Sequence, residues 1–554
     1  MNLASVQMRI NTGQAIIVDG LRWRFSAAGQ KLLQPEHLRL HEHLANGLAS
    51  VVKHGLHRTV YHVKLDGFSI FWKHCRINGI GSYLRQWIRP PKARLEFDRS
   101  RMLAERGIAT IEPLAWGKHW YRHCGPSHLI TRELKGGVPL FSALVDQING
   151  ANRREITAQL GRYLARLHEA GVLHPDLHPG NILVVRDSAG EPRFHLLDIH
   201  NIAIGQPLNM RSSIANLAIF NRWFALRTDR SDRNRFWKSY ISARGMNSPC
   251  SRAMARTVET DTLTSNRKLW RDRDDRCWGD NRNFQPVRSR MAMGHAVKDI
   301  DPGVLRQLLA DPDSPFAADG VRMLKESETS TVAEITVPTP TGPRVMIYKR
   351  FLLKKALAAP ANAVRMSAAL RSWQMGHAVH DRGLSTPRPW IVLHRRGRTG
   401  PREGYLLCEK VVDAMDVCEF LKTLTGRAKW DAIASLGRTL HHFHQSGLRH
   451  RDMKAANLLV TSTNGSIRFH LIDLVGVRFL RDVPTATRAR NLSRLNVSFL
   501  LNKSFTRSDR VRFLRAYLRW ALVGRHGWKA WWRLIDQATR DKVERNRQTG
   551  RLIA

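Results

Sequence analysis

The sequence predicts an α+β protein of two tandem bilobal domains, each a small β-rich lobe followed by a helical lobe. Two observations carry that expectation. One stretch of text occurs twice, and within each copy the apolar pattern changes from strand-like alternation to helical spacing. Laid over each other, "QLGRYLARLHEAGVLHPDLHPGNILV" (159–184) and "SLGRTLHHFHQSGLRHRDMKAANLLV" (435–460) share Leu, Gly, Arg, Leu, His, Gly, His, Asp, Asn, Leu and Val without a gap. The match continues downstream, where "FHLLDIHNI" (194–202) answers "FHLIDLVGV" (469–477) and "SDRNRFWKSY" (231–240) answers "SDRVRFLRAY" (508–517). Upstream, "ERGIATIEPLAWG" (105–117) answers "DRGLSTPRPWIVL" (381–393). The repeated unit is therefore a whole domain of roughly 250 residues, not a solenoid module of about 20 to 50.

Each copy begins with strand text. Apolar and polar residues alternate in "TVYHVKLDGFSIFWKH" (59–74) and "RVMIYKRF" (344–351), and longer helical patterns follow. The stretch "TVETDTLTSNRKLWRDRDDRCWGDNRNFQPVRSRM" (257–291) is polar and dense in charge. It reads as a linker, which gives a first domain at 1–256 and a second at 292–554.

Composition narrows the partners. No run of about 18 apolar residues occurs, so no transmembrane helix is expected. The opening "MNLASVQMRINTGQAIIVDG" lacks the apolar core of a secretory signal, which places the chain in the cytoplasm. Six cysteines stand without any C-x-x-C pair, so neither a disulfide framework nor a zinc site is expected. The 90 Lys and Arg against 46 Asp and Glu give a net charge of +44, which attracts nucleic acid, anionic lipid headgroups or phosphorylated substrates. The Arg residues are spread through segments with apolar periodicity, which favours folded basic surfaces over a nucleic-acid arm. A nucleic-acid partner is accordingly not expected.

The repeated sentence carries the parts that phosphoryl transfer needs: positioned phosphates, held metal ions and a carboxylate near the attacking hydroxyl. In H-x-D-x-x-x-x-N, a short loop presents Asp176, or Asp452, to an acceptor hydroxyl, and Asn181, or Asn457, follows as a ligand for Mg2+. His174 and His450 brace the loop. A second carboxylate, Asp198 in "HLLD" or Asp473 in "HLID", follows a β-hairpin and would bridge the metal to the phosphates. Upstream, Lys73 in "SIFWKH" and Lys349 in "VMIYKRF" stand on strands where a phosphate-gripping Lys belongs. Glu96 in "KARLEFDRSRMLAERG" is the helix Glu that would hold Lys73, whereas the aligned residue of the second copy is Ser372. The glycine-rich phosphate loop is poor in both copies, with Gly55 in "SVVKHGLHRTV" and no Gly in "LKESETSTVAEI" (324–335), so backbone or Ser and Thr contacts must substitute. Glu133 in "HLITRELKGG" and Glu409 in "YLLCEKVVDA" end apolar strands that suit the adenine-binding connection.

These residues resemble the bacterial lipopolysaccharide kinase family, the Kdo kinase and WaaP-type heptose kinases, which are protein-kinase-like. The resemblance runs through "VKHGLHRTVYHVKLDGFSIFWKH", "RGIATIEPLAWG", the His-x-Asp loop and the "SDRxRFxxxY" helix, most of both copies. It implies ATP and Mg2+ as cofactors, no other metal, and a sugar hydroxyl on a lipid-linked core oligosaccharide as acceptor. "HPDLHPGNILV" is also similar to aminoglycoside phosphotransferases and to atypical kinases related to ubiquinone synthesis. The second copy departs at Ser372 and the first at His178, which stands where Lys454 follows Asp452. An enzyme on anionic glycolipid has a use for a basic surface, since each Lys or Arg near an anionic leaflet contributes about 1 kcal/mol. Peripheral attachment at the inner face of the cytoplasmic membrane follows. Two other readings stay open here: a kinase for a protein or small metabolite, and a pseudokinase scaffold whose basic surface binds membrane or nucleic acid.

Overall fold

In the computed structural model, the strand text of each copy becomes part of a seven-stranded antiparallel sheet. The structure describes residues 15–550 apart from 56, 78, 122–123, 146–149, 229, 247–249, 340–341, 353–365, 398–399, 464, 501, 503–504 and 519–526. Most of the opening stretch considered for a signal thus lies outside the described residues. The first sheet runs in the order Ile16–Val18, Leu21–Phe25, Pro113–His119, Ser127–Arg132, Phe68–Cys75, Arg58–Leu65, Ala49–His54. The second repeats it with Phe284–Arg288, Ala292–Val297, Pro389–Gly397, Gly400–Glu409, Arg344–Phe351, Ser330–Val337, Arg322–Ser327. The edge hairpin of each sheet carries a bulge, at Val51/Lys53 in one and Met323/Lys325 in the other. This hairpin is what stands in place of a glycine-rich loop.

One helix packs on each sheet, Lys92–Glu105 in the first copy and Ala368–Asp381 in the second. Their buried faces coincide in register: Ala93, Glu96, Ser100 and Leu103 against Ala369, Ser372, Gly376 and Val379. Helical lobes follow, built on Gly150–Glu169 and on Gly426–Gln445. The repeated Gly has a packing reason. A Cβ on Gly161 would lie 2.4 Å from the Phe236 carbonyl oxygen, and one on Gly437 would lie 2.6 Å from that of Phe513. Only glycine admits the following helix, Arg230–Ala243 or Arg507–Leu518, at that distance.

The chain divides into compact units at Met1–Ser265 and Asn266–Ala554. The expected linker at 257–291 is therefore corrected: Ser251–Asp274 is one continuous helix, and Phe284–Arg288 already belongs to the second sheet. Its buried stripe recurs every fourth residue but is mostly polar, running Val258, Thr262, Asn266, Trp270, Asp274. Such a stripe leaves no apolar periodicity to read. The first part is the closing helix of the repeat. Asn221 donates to the Thr262 hydroxyl at 3.1 Å, as Asn496 donates to Thr539 at 3.2 Å in the second unit's last helix, Gly527–Gln548. The remainder serves the second unit. Asp274 accepts two bonds from the buried Arg382 guanidinium, at 2.7 and 2.9 Å, and that guanidinium also lies over the rings of Trp270 and Phe479.

Two interior networks tie helices to loops. His168 Nδ1 meets the Tyr240 hydroxyl at 2.8 Å and Nε2 meets Asn216 at 3.3 Å, while Asn216 donates to the His174 carbonyl at 2.7 Å. His444, Tyr517 and Asn491 repeat the arrangement, with the His450 N–H donating to Asn491 at 3.0 Å. Burial pushes His168 down to about 4 and His444 down to about 3. Unfolding returns each to about 6.5, so below that pH the unfolded chain binds protons that the native state refuses. Thermal melts are expected to show Tm falling as pH is lowered from about 6.5 toward 4, with a shallower fall in His444→Gln; a flat profile would contradict neutral burial. Arg382→Met strands a buried carboxylate and is expected to cost about 3–5 kcal/mol in denaturant unfolding.

Candidate active site

In the first unit the strand Phe68–Cys75 and the helix Lys92–Glu105 bring Lys73 and Glu96 together as an ion pair. Glu96 is 6% exposed, so this is a buried partnership rather than a solvated one. Ser100 donates to the Glu96 carbonyl at 2.9 Å and helps hold that turn of the helix.

Asp176 lies on the loop between strand Val172–Leu173 and the turn Pro179–Asn181. Its own N–H donates to His174 Nδ1 at 3.2 Å, and His174 Nε2 lies 3.1 Å from the Leu197 carbonyl. These bonds place the ring proton on Nε2, and burial lowers the histidine's pKa so that it stays neutral. Asn181 donates through its amide nitrogen to the Asp176 carbonyl at 2.9 Å, so its side-chain oxygen is the atom it could offer to a cation. The Leu197 N–H donates to the Asn181 carbonyl at 2.8 Å, so Asp198 is tethered next to Asn181. Asp198 sits in the left-handed region at φ 53°, as Asp473 does at φ 57°, a backbone state that costs a non-glycine residue about 1–2 kcal/mol.

Around Asp198 gather residues not singled out from the sequence. His200 Nδ1 lies 2.8 Å from Asp198 Oδ1, and Arg58 Nη1 lies 3.3 Å from the same oxygen. The His200 bond above all, then the charges of Arg58 and Lys73, hold this carboxyl well below the usual carboxylate range against the opposing effect of burial. Arg58 opens the strand that follows the glycine-poor hairpin, so its reach to Asp198 is visible only once the sheet is assembled. His178 also gains a role in the geometry: its Nε2 lies 3.7 Å from Asp176 Oδ2, as Lys454 Nζ lies 3.3 Å from Asp452 Oδ2. His178 and Lys454, which occupy the same place in the two copies, thus each face the carboxylate of their own loop.

The second unit keeps the loop but not the clamp. Asp452 donates its N–H to His450 Nδ1 at 3.0 Å, and Asn457 donates to the Asp452 carbonyl at 2.8 Å. Ser372 turns its hydroxyl onto its own helix, at the Ala368 carbonyl. Lys349 instead lies 3.8 Å from Asp473 and 4.9 Å over the Phe351 ring. Strand register puts Ser330 where Arg58 stands in the first unit. Glu133 and Glu409 lie where the strands leave the sheet, but their carboxylates stay within it. Glu133 lies 3.3 Å from His62, and Glu409 accepts from Trp390 Nε1 at 3.1 Å. Among the described residues no ion pair or hydrogen bond joins Glu133 to Lys73 or Asp198, or Glu409 to Lys349 or Asp473.

Hard oxygen donors and a carboxylate held ionised suit Mg2+. Among the described residues no group of three or more His, Cys, Asp and Glu gathers to hold a metal, so a cation at Asn181 and Asp198 would complete its shell with water and phosphate oxygens, as Mg2+ does.

A sheet lobe with a Lys and Glu pair, followed by a helical lobe with the His-x-Asp loop, defines the protein-kinase-like fold class. A family model described as the lipopolysaccharide kinase (Kdo/WaaP) family matches residues 64–241 and 351–517, and the chain belongs to that family. A 3-deoxy-D-manno-octulosonic acid kinase of Xanthomonas axonopodis pv. citri (strain 306) is 33% identical over 146 residues, 25% of this chain and 55% of that protein. One of Pasteurella multocida (strain Pm70) is 28% identical over 122 residues, 22% of this chain and 49% of that protein. The chain spans about half the length of the curated relatives it matches. The solved structure of WaaP in complex with acyl carrier protein aligns over 43% of this chain and 99% of that chain, at 23% identity and a TM-score of 0.32.

The clamp makes the two units unequal. Titration with a fluorescent ATP analogue is expected to show one site weakened about tenfold or more, about 1.4 kcal/mol, by Glu96→Gln, with no comparable change from Ser372→Ala. Equal sensitivity to both would mean that the pair is not what holds nucleotide.

Proposed function

We propose that this chain is an ATP-dependent phosphotransferase acting on a sugar hydroxyl, Kdo or heptose, of the lipopolysaccharide inner core. The observation that carries the reading is the first unit's assembly of the Lys73 and Glu96 pair with the Asp176 loop and Asp198, in a chain of the lipopolysaccharide kinase family. Two relatives are 3-deoxy-D-manno-octulosonic acid kinases, which supports Kdo as the first acceptor to try.

The residues divide the work. Lys73, held by Glu96, grips the nucleotide phosphates. Asp176 is solvent-facing, with 73% of its side chain exposed, as a group that must meet an incoming hydroxyl should be. Its carboxylate orients that hydroxyl and takes its proton as the oxygen attacks the terminal phosphorus and ADP leaves. His174, neutral and bonded on both nitrogens, keeps the loop in shape. Asn181 and Asp198 would hold Mg2+, which when bound neutralises charge on the transferring phosphoryl group. Asp452, Asn457, Asp473 and Lys349 form the corresponding set of the second unit, where the missing Glu leaves Lys349 on Asp473. We assign turnover to the first unit and a supporting nucleotide-binding role to the second.

A lipid-linked acceptor implies work at the inner face of the cytoplasmic membrane. Among the described residues no helix is long and apolar enough to cross a membrane, so attachment there would be peripheral.

Mass spectrometry of a Kdo- and heptose-containing lipid acceptor incubated with MgATP tests the proposal. Asp176→Asn is expected to lower phosphate transfer by at least about a hundredfold, the usual contribution of a positioned base, and Asp452→Asn to leave it within a few-fold. Two products, each removed by one substitution, would show two working sites. No transfer by the wild type, or transfer only to soluble acceptors, would overturn the core-sugar assignment.

A further inference from the structure

The connection between Lys73 and Glu96 carries a surface that neither the nucleotide site nor the core explains. Helix Ile80–Ile88 lies in that connection and exposes Tyr83, Leu84, Trp87 and Ile88, the last at 86%. Residues 83, 84, 87 and 88 share one face of a helix, since positions three and four apart are neighbours. The helix is docked and not dangling. Gln86 donates to the Gly125 carbonyl at 3.0 Å and accepts from the Gly125 N–H at 2.9 Å. The same loop presents Trp120 and Tyr121, which are 60% and 57% exposed.

The flanks of the helix are rich in cations. Residues 76–95 contain Arg76, Arg89, Lys92 and Arg94 and no Asp or Glu, Arg94 lying 3.4 Å from Asp98 on its own helix, and the Trp120 and Tyr121 turn follows Lys118 and meets Gly20, the neighbour of Asp19. Arg89 and Lys92 are exposed directly after the apolar face. Exposed aliphatic Leu84 and Ile88 have nothing to give to nucleic acid, which rewards aromatic stacking and phosphate contacts. A bilayer interface rewards the whole set: aliphatic side chains at the acyl boundary, Trp and Tyr at headgroup depth, and cations on anionic lipid phosphates.

We propose that helix Ile80–Ile88, with the Trp120 and Tyr121 turn, is a membrane-docking surface for anionic phospholipid. It deepens the membrane attachment suggested above, but it stands on the exposed apolar face and the exposed cations Arg89 and Lys92 that follow it, and not on phosphoryl transfer. Its position gives it a further consequence. The docked segment joins the strand of Lys73 to the helix of Glu96, so lipid contact is made by the same stretch of chain that spaces the pair.

The test is sedimentation of the full chain with vesicles of phosphatidylcholine alone and of phosphatidylcholine mixed with phosphatidylglycerol, without nucleotide. The wild type is expected to bind the anionic vesicles and not the neutral ones. The triple variant Leu84→Ser, Trp87→Ser, Ile88→Ser and, separately, the pair Arg89→Glu, Lys92→Glu are each expected to lose tenfold or more of that binding. Arg427→Glu, at an exposed cation of the second unit, is expected to keep it. Far-ultraviolet circular dichroism and melting of each variant separate loss of docking from loss of fold. Undiminished binding by both variants, equal binding to neutral vesicles, or no binding by the wild type would overturn the proposal. Capture of an acidic protein on this face without vesicle binding would do the same. Because no nucleotide is present, failure of the kinase reading leaves this result intact, and the reverse also holds.

Discussion

The buried, uncharged histidines at the base of each His-x-Asp loop are the constraint on which the rest of the site depends. The loop from His174 to Asn181 is largely irregular backbone, and irregular backbone keeps one shape only where its polar groups have fixed partners. Those partners are supplied from below. Asn216 holds the His174 carbonyl, His168 holds Asn216, and Tyr240 holds His168, so a helix in the lobe's interior sets the position of Asp176. From above, His174 and Asn181 bond Asp176 and the residue before Asp198. A charged imidazole at His168 would break this chain, because its Nδ1 could no longer accept from the Tyr240 hydroxyl and the charge cannot be desolvated cheaply.

That base is retained in both units, whereas the upper clamp is not. The second unit has the same His, Asn and Tyr set and the same left-handed Asp, yet Ser372 replaces the helix carboxylate and Ser330 stands at the place of Arg58. With no carboxylate beside it, Lys349 finds the nearest anion, Asp473. In the first unit three cationic or proton-donating groups, Lys73, Arg58 and His200, share two carboxylates. Among the described residues the second pairs one cation, Lys349, with one carboxylate, Asp473. The copies therefore differ in how much charge their sites can present to a polyphosphate, while their scaffolds are nearly the same.

Much of this was legible in the chain. A duplication needs no structure to be seen, and H-x-D-x-x-x-x-N with a later Asp has a spacing that chemistry explains. The absence of a helix carboxylate for Lys349 was equally readable from Ser372. The region between the domains was not, because its buried positions are Thr, Asn, Trp and Asp and a polar buried face carries no hydrophobic period. Arg58 and His200 were missed for another reason. Arg58 and Asp198 are far apart in the chain, and no local pattern ties a strand's first residue to a carboxylate beyond a hairpin. The repeat did hold a signal for the anchoring network, since His168 with His444 and Tyr240 with Tyr517 coincide between copies.

By itself the sequence determined the duplication and the order of sheet and helical lobes, and it nominated the carboxylates, amides and lysines of both candidate sites, because these follow from repetition and from short-range spacing. Only the tertiary structure decided which groups share a carboxylate, that the charged stretch is a closing helix, that Glu133 and Glu409 stay within their sheets, and that one short helix leaves its apolar face in solvent. Each of these depends on strand register and on burial, which are set by contacts between residues distant in the chain and have no local imprint in it.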